Sequence, residues 1–288
     1  MKKFLAACLL TLIVTTFSLP ALAQRVSSKW DLPDRLQVNV GAFFLDAVDT
    51  KTVLRSPTVP AGVIISFDED LGVEERDVTP RIDGFYRFNR RHRIDFSYFQ
   101  IKRDGTSFIG VDIPAGIING PVNEGTLVTT TFDEKIFKIN YLFSFLNTEK
   151  AEFGLGGGLH MTDYDLTIQP VGNPPVTSGT QLIPLPVASA LASYQISPRW
   201  SFMARLDIFA LQYQDFRGSM SDMRLVLEHH TFKNVGFGFG LNRFDLNVEA
   251  SNDDILGEID NTYNGFLIYV ATYTGKTAAG SQFRNKNR

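Results

Sequence analysis

Charged side chains of both signs recur at every second position in several segments of the chain, as in Arg81-x-Asp83 and Arg205-x-Asp207. Side chains two residues apart in a strand lie on the same face, so such groups could form ion pairs or line a polar passage. Because the two signs are nearly balanced, we predict an ion-paired network rather than the single-sign ring of a selective pore. The predicted network comprises Arg81, Asp83, Arg87, Arg93, Asp95, Lys138, Glu152, Arg205, Asp207, Arg224 and Glu228.

A histidine beside two carboxylates is a possible hydrolytic centre. In "HMTDYD", His160 precedes Asp163 and Asp165, and a His–Asp pair of this kind can activate water. On a strand, however, Asp163 lies on the face opposite His160. The chain also has no Gly-x-Ser-x-Gly nucleophile motif. We therefore predict no catalytic residue and no enzyme, with a hydrolase as an alternative.

The stretch "FDEDLGVEERD" gathers carboxylates between Asp68 and Asp77. Such oxygens could bind Ca²⁺ or Mg²⁺ and bridge to lipid phosphates. The spacing does not match the EF-hand ligand series, and the sequence holds no Cys/His spacing of a metal site. We predict a solvated acidic loop between residues 68 and 77, and neither a metal nor a cofactor.

The elements that must position these groups are strands, because apolar and polar residues alternate with period two in segment after segment. "KIFKINYLFSF" and "VGFGFGLN" are clear examples, and the whole chain contains about ten such segments. Two segments carry mainly glycine on the non-aromatic face, which suits a crowded interior. The apolar face includes Ile94, Phe96, Tyr98, Phe137, Ile139, Tyr141, Phe202, Leu206, Phe237 and Phe239.

The first residues have the pattern of an export signal. Lys2 and Lys3 precede an apolar run, Pro20 interrupts it, and Ala21-Leu22-Ala23 supplies small residues for cleavage. Residues 1–23 are thus predicted to be a signal peptide, whose removal also removes Cys8, the single cysteine. The net charge of −3 argues against nucleic-acid binding.

Two architectures fit an exported chain of alternating strands: a soluble secreted β-domain and a membrane barrel. Short links such as "FNRRHR" and "ISPRW" alternate with longer ones at residues 55–75, 110–123, 171–180 and 251–258. Short turns on one rim, long loops on the other and an aromatic-rich apolar face favour the barrel. We therefore assign the aromatic face to lipid and the charged face to the lumen.

In these features the mature chain resembles the small outer-membrane β-barrels of Gram-negative bacteria. Tyr263-x-Gly265-x-x-Ile268-x-Val270 is also similar to the C-terminal assembly signal of that class, although here a polar tail follows it. The resemblance implies an all-β, transmembrane antiparallel barrel in the cell outer membrane. We expect a periplasmic N-terminal segment (24–35), a barrel (36–274) and a basic C-terminal tail (275–288).

The expected partners of such a barrel are outer-membrane lipid, lipopolysaccharide and the barrel assembly machinery, and the expected state is a monomer. We predict a structural or surface-interaction role with a lumen plugged by paired charges. Three alternatives remain open: a narrow channel for small polar solutes, an outer-membrane hydrolase and a soluble secreted β-domain.

Overall fold

The computed structural model describes residues 35–274, apart from residues 57–58, 115–120, 149, 214–215, 233 and 252–255. The predicted signal peptide, the N-terminal segment up to residue 34 and the C-terminal tail lie outside the described residues. Within the described residues, no helix has the length and apolar character needed to span a bilayer.

Eleven β-strands account for nearly all of the described chain, so the predicted all-β class is confirmed. In order they are β1 (Leu36–Ser56), β2 (Val59–Ser66), β3 (Asp77–Arg87), β4 (His92–Phe108), β5 (Leu127–Asn147), β6 (Ala151–Pro170), β7 (Val176–Gln195), β8 (Trp200–Tyr213), β9 (Phe216–His229), β10 (Val235–Ser251) and β11 (Leu256–Thr274).

Antiparallel pairing of β1 with β11 closes the sheet into a barrel. The pairing runs from Leu36↔Thr274 to Leu54↔Gly257. The wall consists of β1 and β3 to β11, which confirms the predicted number of about ten antiparallel strands. The short strand β2 pairs only with the C-terminal part of β1 and lies within the predicted link 55–75. Strand β7 begins inside the predicted link 171–180. These two predicted loops are therefore shorter than expected, because their residues extend the sheet instead.

The outward face near the short turns is an apolar belt. On β5 the belt runs from Phe137 to Phe145 in alternate residues, about the length that a tilted transmembrane strand needs. Ile94 and Phe96 are half-buried within it, whereas Tyr98 is 45% exposed. The other exposed members include Ile139, Tyr141, Leu155, Leu159, Phe202, Leu206, Ile208, Phe237, Phe239, Leu241, Phe266, Ile268 and Val270.

Above the belt, towards the long loops, the same outward positions become polar. On β5 they are Thr129, Thr131, Asp133 and Lys135, and on β10 they begin at Arg243 and Asp245. The alternation continues without a phase change, and most of the inward positions at the same level are apolar. Most strands, though not β3 or β7, therefore reverse the polarity of their two faces part-way along their length.

The upper interior is filled by an aromatic plug, which we define as Phe43, Phe67, Phe99, Phe132, Phe244 and Tyr263, each at most 2% exposed. The rings pack at angles and distances typical of buried aromatic pairs. Phe244 stacks on Tyr263 at 4.6 Å, and Phe43 meets Phe99 edge-on at 5.7 Å. The rings lie above the membrane level, so folding removes their apolar surface from water. This burial favours the folded state.

The acidic loop is anchored to the barrel core by its apolar residues, which the sequence did not reveal. Phe67, Leu71 and Val73 are buried within the apolar core, although Glu69, Glu74 and Glu75 are exposed. Burial alone would raise the pKa of Asp68, but hydrogen bonds from Ser66 and from backbone N–H groups outweigh it and lower that pKa. Gly72 takes a positive φ of 63° at the turn, a backbone conformation that favours glycine.

Arginine substitutions on one strand face test the level of the belt. Ile139→Arg should abolish the heat-modifiable, folded form, because an arginine in the bilayer centre costs about 2–4 kcal/mol. Thr129→Arg, on the same outward face of β5 above the belt, should fold normally. Gel migration before and after boiling measures both, and equal behaviour of the two variants would contradict the assigned belt.

Candidate functional site

The predicted charged residues all point into the barrel, at the level of the apolar belt. Their side chains are between 3% and 15% exposed where they take part in ion pairs. With Asp222 they provide equal numbers of cations and carboxylates, so their formal charges cancel. The set is Arg81, Arg87, Arg93, Lys138, Arg205 and Arg224 with Asp83, Asp95, Glu152, Asp207, Asp222 and Glu228.

Near the short turns, Glu152 on β6 is held by arginines from β3 and β4. Arg87 donates two parallel hydrogen bonds to the carboxylate, of 2.8 and 2.9 Å. Arg93 Nη1 lies 3.6 Å from the same group, and Ser144 donates a further hydrogen bond. A bidentate guanidinium–carboxylate pair is among the strongest polar contacts in proteins, so this cluster fixes β3 and β4 against β6.

Deeper in the barrel, the ion pairs cross the lumen between strands that are not neighbours. Arg205 on β8 bonds both Asp207 on its own strand and Asp95 on β4. Arg224 Nη1 on β9 lies 2.8 Å from Asp83 Oδ1 on β3. These contacts connect opposite walls and leave little open space between them.

Two partners in this layer were missed from the sequence. Lys138 on β5 pairs with Asp222 on β9, and Asn242 on β10 donates to Asp222 at 2.6 Å while accepting from Arg81 at 2.9 Å. A signal for Asp222 exists, because it lies two residues before Arg224 and therefore shares its face.

Glu228 has a different environment, formed largely by tyrosines of the last strand. Tyr269 and Tyr273 donate to its carboxylate at 2.8 and 2.7 Å. A side chain at Gly238 would collide with the Tyr269 ring, since an ideal Cβ there lies 2.1 Å from it. The glycines of β10 thus give these tyrosine rings the space to lie against the wall.

The lumen opens at the short-turn end into a polar vestibule of about 150 Å³. Arg87, Glu152, Glu228 and His230 are among its lining residues. Burial lowers the pKa of His230, although Glu228 opposes the shift. Deeper in, a cavity of about 20 Å³ among Lys138 and its neighbours has room for about one water molecule.

The His–Asp pair that the sequence alternation excludes does not assemble. His160 is 1% exposed inside the barrel, with its ring 5.3 Å from Phe244 and no hydrogen-bond partner on either ring nitrogen. Asp163 and Asp165 point outward, and Asp163 lies 3.8 Å from Lys135. Among the described residues, no carboxylate is hydrogen-bonded to His160 in the way that would orient it as a base.

A second buried polar group lies inside the aromatic plug, and sequence analysis missed it. Asn261 donates to both oxygens of Glu134, at 3.2 and 3.1 Å, and accepts from Thr50 at 2.9 Å. Arg103 donates to Thr50 at 2.7 Å. Each of these residues occupies an inward position in a segment whose outward positions are polar, which is the signal that could have revealed the group.

Comparison with known proteins gives likeness at the level of fold. No family model and no curated protein matches the chain. The crystal structure of the outer-membrane protease OmpT from Escherichia coli superposes with a TM-score of 0.56 and 11% sequence identity, covering 87% of this chain and 99% of that one. The chain has the fold of a Gram-negative outer-membrane β-barrel. At this identity the likeness concerns the fold alone.

Two further structures align over most of the chain at lower scores. OprG from Pseudomonas aeruginosa gives a TM-score of 0.35 with 9% identity, covering 85% of this chain and 98% of that one. The toluene transporter TodX from Pseudomonas putida gives 0.33 with 8% identity, covering 84% and 91%. At these scores neither structure bears on the fold or the function of this chain.

Single and double substitutions test the buried pair of Lys138 and Asp222. Lys138→Met should destabilise the barrel by about 3–5 kcal/mol, because it leaves a buried carboxylate without its cation. Adding Asp222→Asn should restore most of the loss, since the uncharged amide can still contact Asn242. The urea midpoint of unfolding in micelles measures both variants, and a double variant as unstable as Lys138→Met would contradict the pairing.

Proposed function

We propose that the protein is a monomeric, non-conducting barrel of the outer membrane that presents a rigid surface outside the cell. The short turns and both chain ends then face the periplasm, and the long loops face the exterior. The role is structural or one of surface interaction.

The reversal of polarity along the strands supports this proposal most strongly. Below the reversal, the outward face is apolar and the interior is charged, as in a membrane barrel. Above it, the outward face is polar and the interior is the aromatic plug, as in a water-soluble β-barrel. Such a wall suits a barrel whose lower half lies in the bilayer and whose upper half projects from it into water.

The interior argues against the alternative of a narrow channel. A solute entering the vestibule would meet the cross-lumen ion pairs and then the aromatic plug. Arg81 joins the two obstacles, because its guanidinium carbon lies 4.4 Å from the centre of the Phe99 ring. Passage would require breaking buried ion pairs and separating packed aromatic rings, both of which cost free energy.

The positions of the histidines argue against a hydrolase that depends on a histidine base. His92, His229 and His230 lie at the short-turn end, and His160 is enclosed at the belt level. The extracellular half of the barrel therefore carries no histidine of this chain. OmpT is a protease, but its likeness to this chain concerns the fold.

Lipopolysaccharide is the partner that the outer wall suits best. Lys102, Lys135 and Arg243 point outward just above the belt, where lipid phosphates would compete with Asp163 for Lys135 and with Asp245 for Arg243. Ile268 and Val270 of the proposed assembly signal face lipid, which leaves them accessible to the assembly machinery during insertion.

Conductance measurement tests the closed lumen. The purified protein in planar bilayers should give no discrete current steps, since packed aromatic rings and mutually bonded polar groups fill the upper interior formed by the described residues. A general porin inserted by the same procedure serves as the control. Reproducible steps from protein shown to be folded by heat-modifiable migration would favour the channel instead.

Cysteine labelling in intact cells tests the location and the orientation. In a Cys8→Ser background, Thr129→Cys should react with a membrane-impermeant maleimide. Lys150→Cys, in a short turn, should react only after the outer membrane is permeabilised. The reverse order would contradict the proposed orientation, and equal labelling of both sites would contradict an outer-membrane location.

A further inference from the structure

Pairing between β7 and β8 stops half-way up the wall. Among the described residues, their register covers Ala188↔Ile208 to Gln195↔Ser201 and goes no higher. Both strands nevertheless continue. β7 pairs with β6 as far as Ile168↔Val176, and β8 pairs with β9 as far as Tyr213↔Phe216. The wall therefore contains a seam, which we define by Ile183–Val187 on β7 and Phe209–Tyr213 on β8.

Two prolines account for the end of the pairing. Pro184 and Pro186 follow directly above the last paired residues of β7, and neither has a backbone N–H to donate. Alternate residues of a strand direct their N–H groups to opposite neighbours. Because β6 stays in register with β7 past both prolines, at Met161↔Pro184 and Leu159↔Pro186, the missing donors face β8.

The seam has apolar residues on both of its sides. Outward on β7, Pro186, Pro184 and Leu182 are exposed, and Leu182 is 56% exposed. The apolar belt therefore reaches higher on β7 than on β5, where outward polar residues begin at Lys135. The lower part of the seam lies against lipid rather than against water.

Behind the seam lies the apolar core, not the charge network. Leu185, Val187 and Phe209 belong to the same buried cluster as the aromatic plug. Leu211 follows them at an inward position of β8, yet it is 47% exposed. On fully paired β10, the inward residues Phe244 and Leu246 are 0% and 2% exposed. The barrel interior is thus accessible at the upper end of the seam.

We propose that the seam is a lateral opening that binds the hydrocarbon chain of an outer-leaflet lipid. Lipid adjoins its lower part, its edges are apolar apart from Gln212, and the prolines reduce the number of unpaired donors that a hydrocarbon chain would meet. A chain entering between Pro186 and Leu211 would contact the apolar core directly. The inference rests on the proposed location in the outer membrane.

Photo-crosslinking tests the opening. The photoreactive residue benzoylphenylalanine replaces Leu211, and the folded protein is irradiated in vesicles of palmitoyl-oleoyl phosphatidylethanolamine and phosphatidylglycerol. Intact-mass measurement should show a covalent phospholipid adduct. The same residue at Val248, inward on β10 with pairing on both sides, should give no adduct. A crosslink to a second copy of the chain instead of lipid would overturn the proposal.

Restoring the missing donors provides the decisive control. Pro184→Thr with Pro186→Thr allows β8 to pair further up β7, so the adduct at Leu211 should be lost. Spin labels at Leu182→Cys and Gln212→Cys, in the Cys8→Ser background, should then give a narrower distance distribution. An adduct unchanged by the threonines in protein that is still heat-modifiable would overturn the lateral opening. The proposed location and closed lumen would still be tested separately, by the labelling and conductance experiments.

Discussion

Most strands of the wall pass from hydrocarbon to water within a continuous hydrogen-bonded ladder, which the seam between β7 and β8 interrupts. In hydrocarbon, backbone groups must be paired, so the ladder fixes which side of each residue faces out. At the top of the belt the surroundings of the barrel change from lipid to water. The outward side chains keep their direction there and change from apolar to polar. The aromatic plug and the charge network follow from this constraint, because each is the inward complement of an outward face.

Within the belt, a polar interior is stable because it is paired. Balanced charges, tyrosines donating to Glu228 and glycines that make space for those rings together leave a narrow vestibule and one small cavity. The same arrangement explains why the lumen has no simple selectivity signature. Its charges are directed at one another rather than at a passing ion.

Much of this architecture was predictable from the sequence, and the misses have physical causes. Period-two alternation gave the strands, their number and the inward position of residues such as Arg93 and Lys138. It did not reveal Glu134 or the aromatic plug, because above the belt the outward face also carries charges, so charge no longer marks the inward face there. The last strand was ambiguous because its two faces are both apolar, and only pairing with β10 shows that Tyr269 faces inward. The position of the seam depends on where the pairing of β7 with β8 ends. The two prolines indicate that pairing is interrupted on one side of β7. They do not show whether that side faces β6 or β8.

The cross-lumen ion pairs also set the order in which the barrel can be assembled. Lys138 and Asp222 are 84 residues apart, Asp95 and Arg205 are 110 apart, and Asp83 and Arg224 are 141 apart. The pairs between β4 and β8 and between β5 and β9 require the sheet to curl, and the pair between β3 and β9 is four places apart only across the contact of β1 with β11. Part of the charged face therefore keeps its water until β11 reaches β1. Closure is therefore the step at which dehydration and ion pairing occur together, and the high sequence separation of these contacts makes it intrinsically slow.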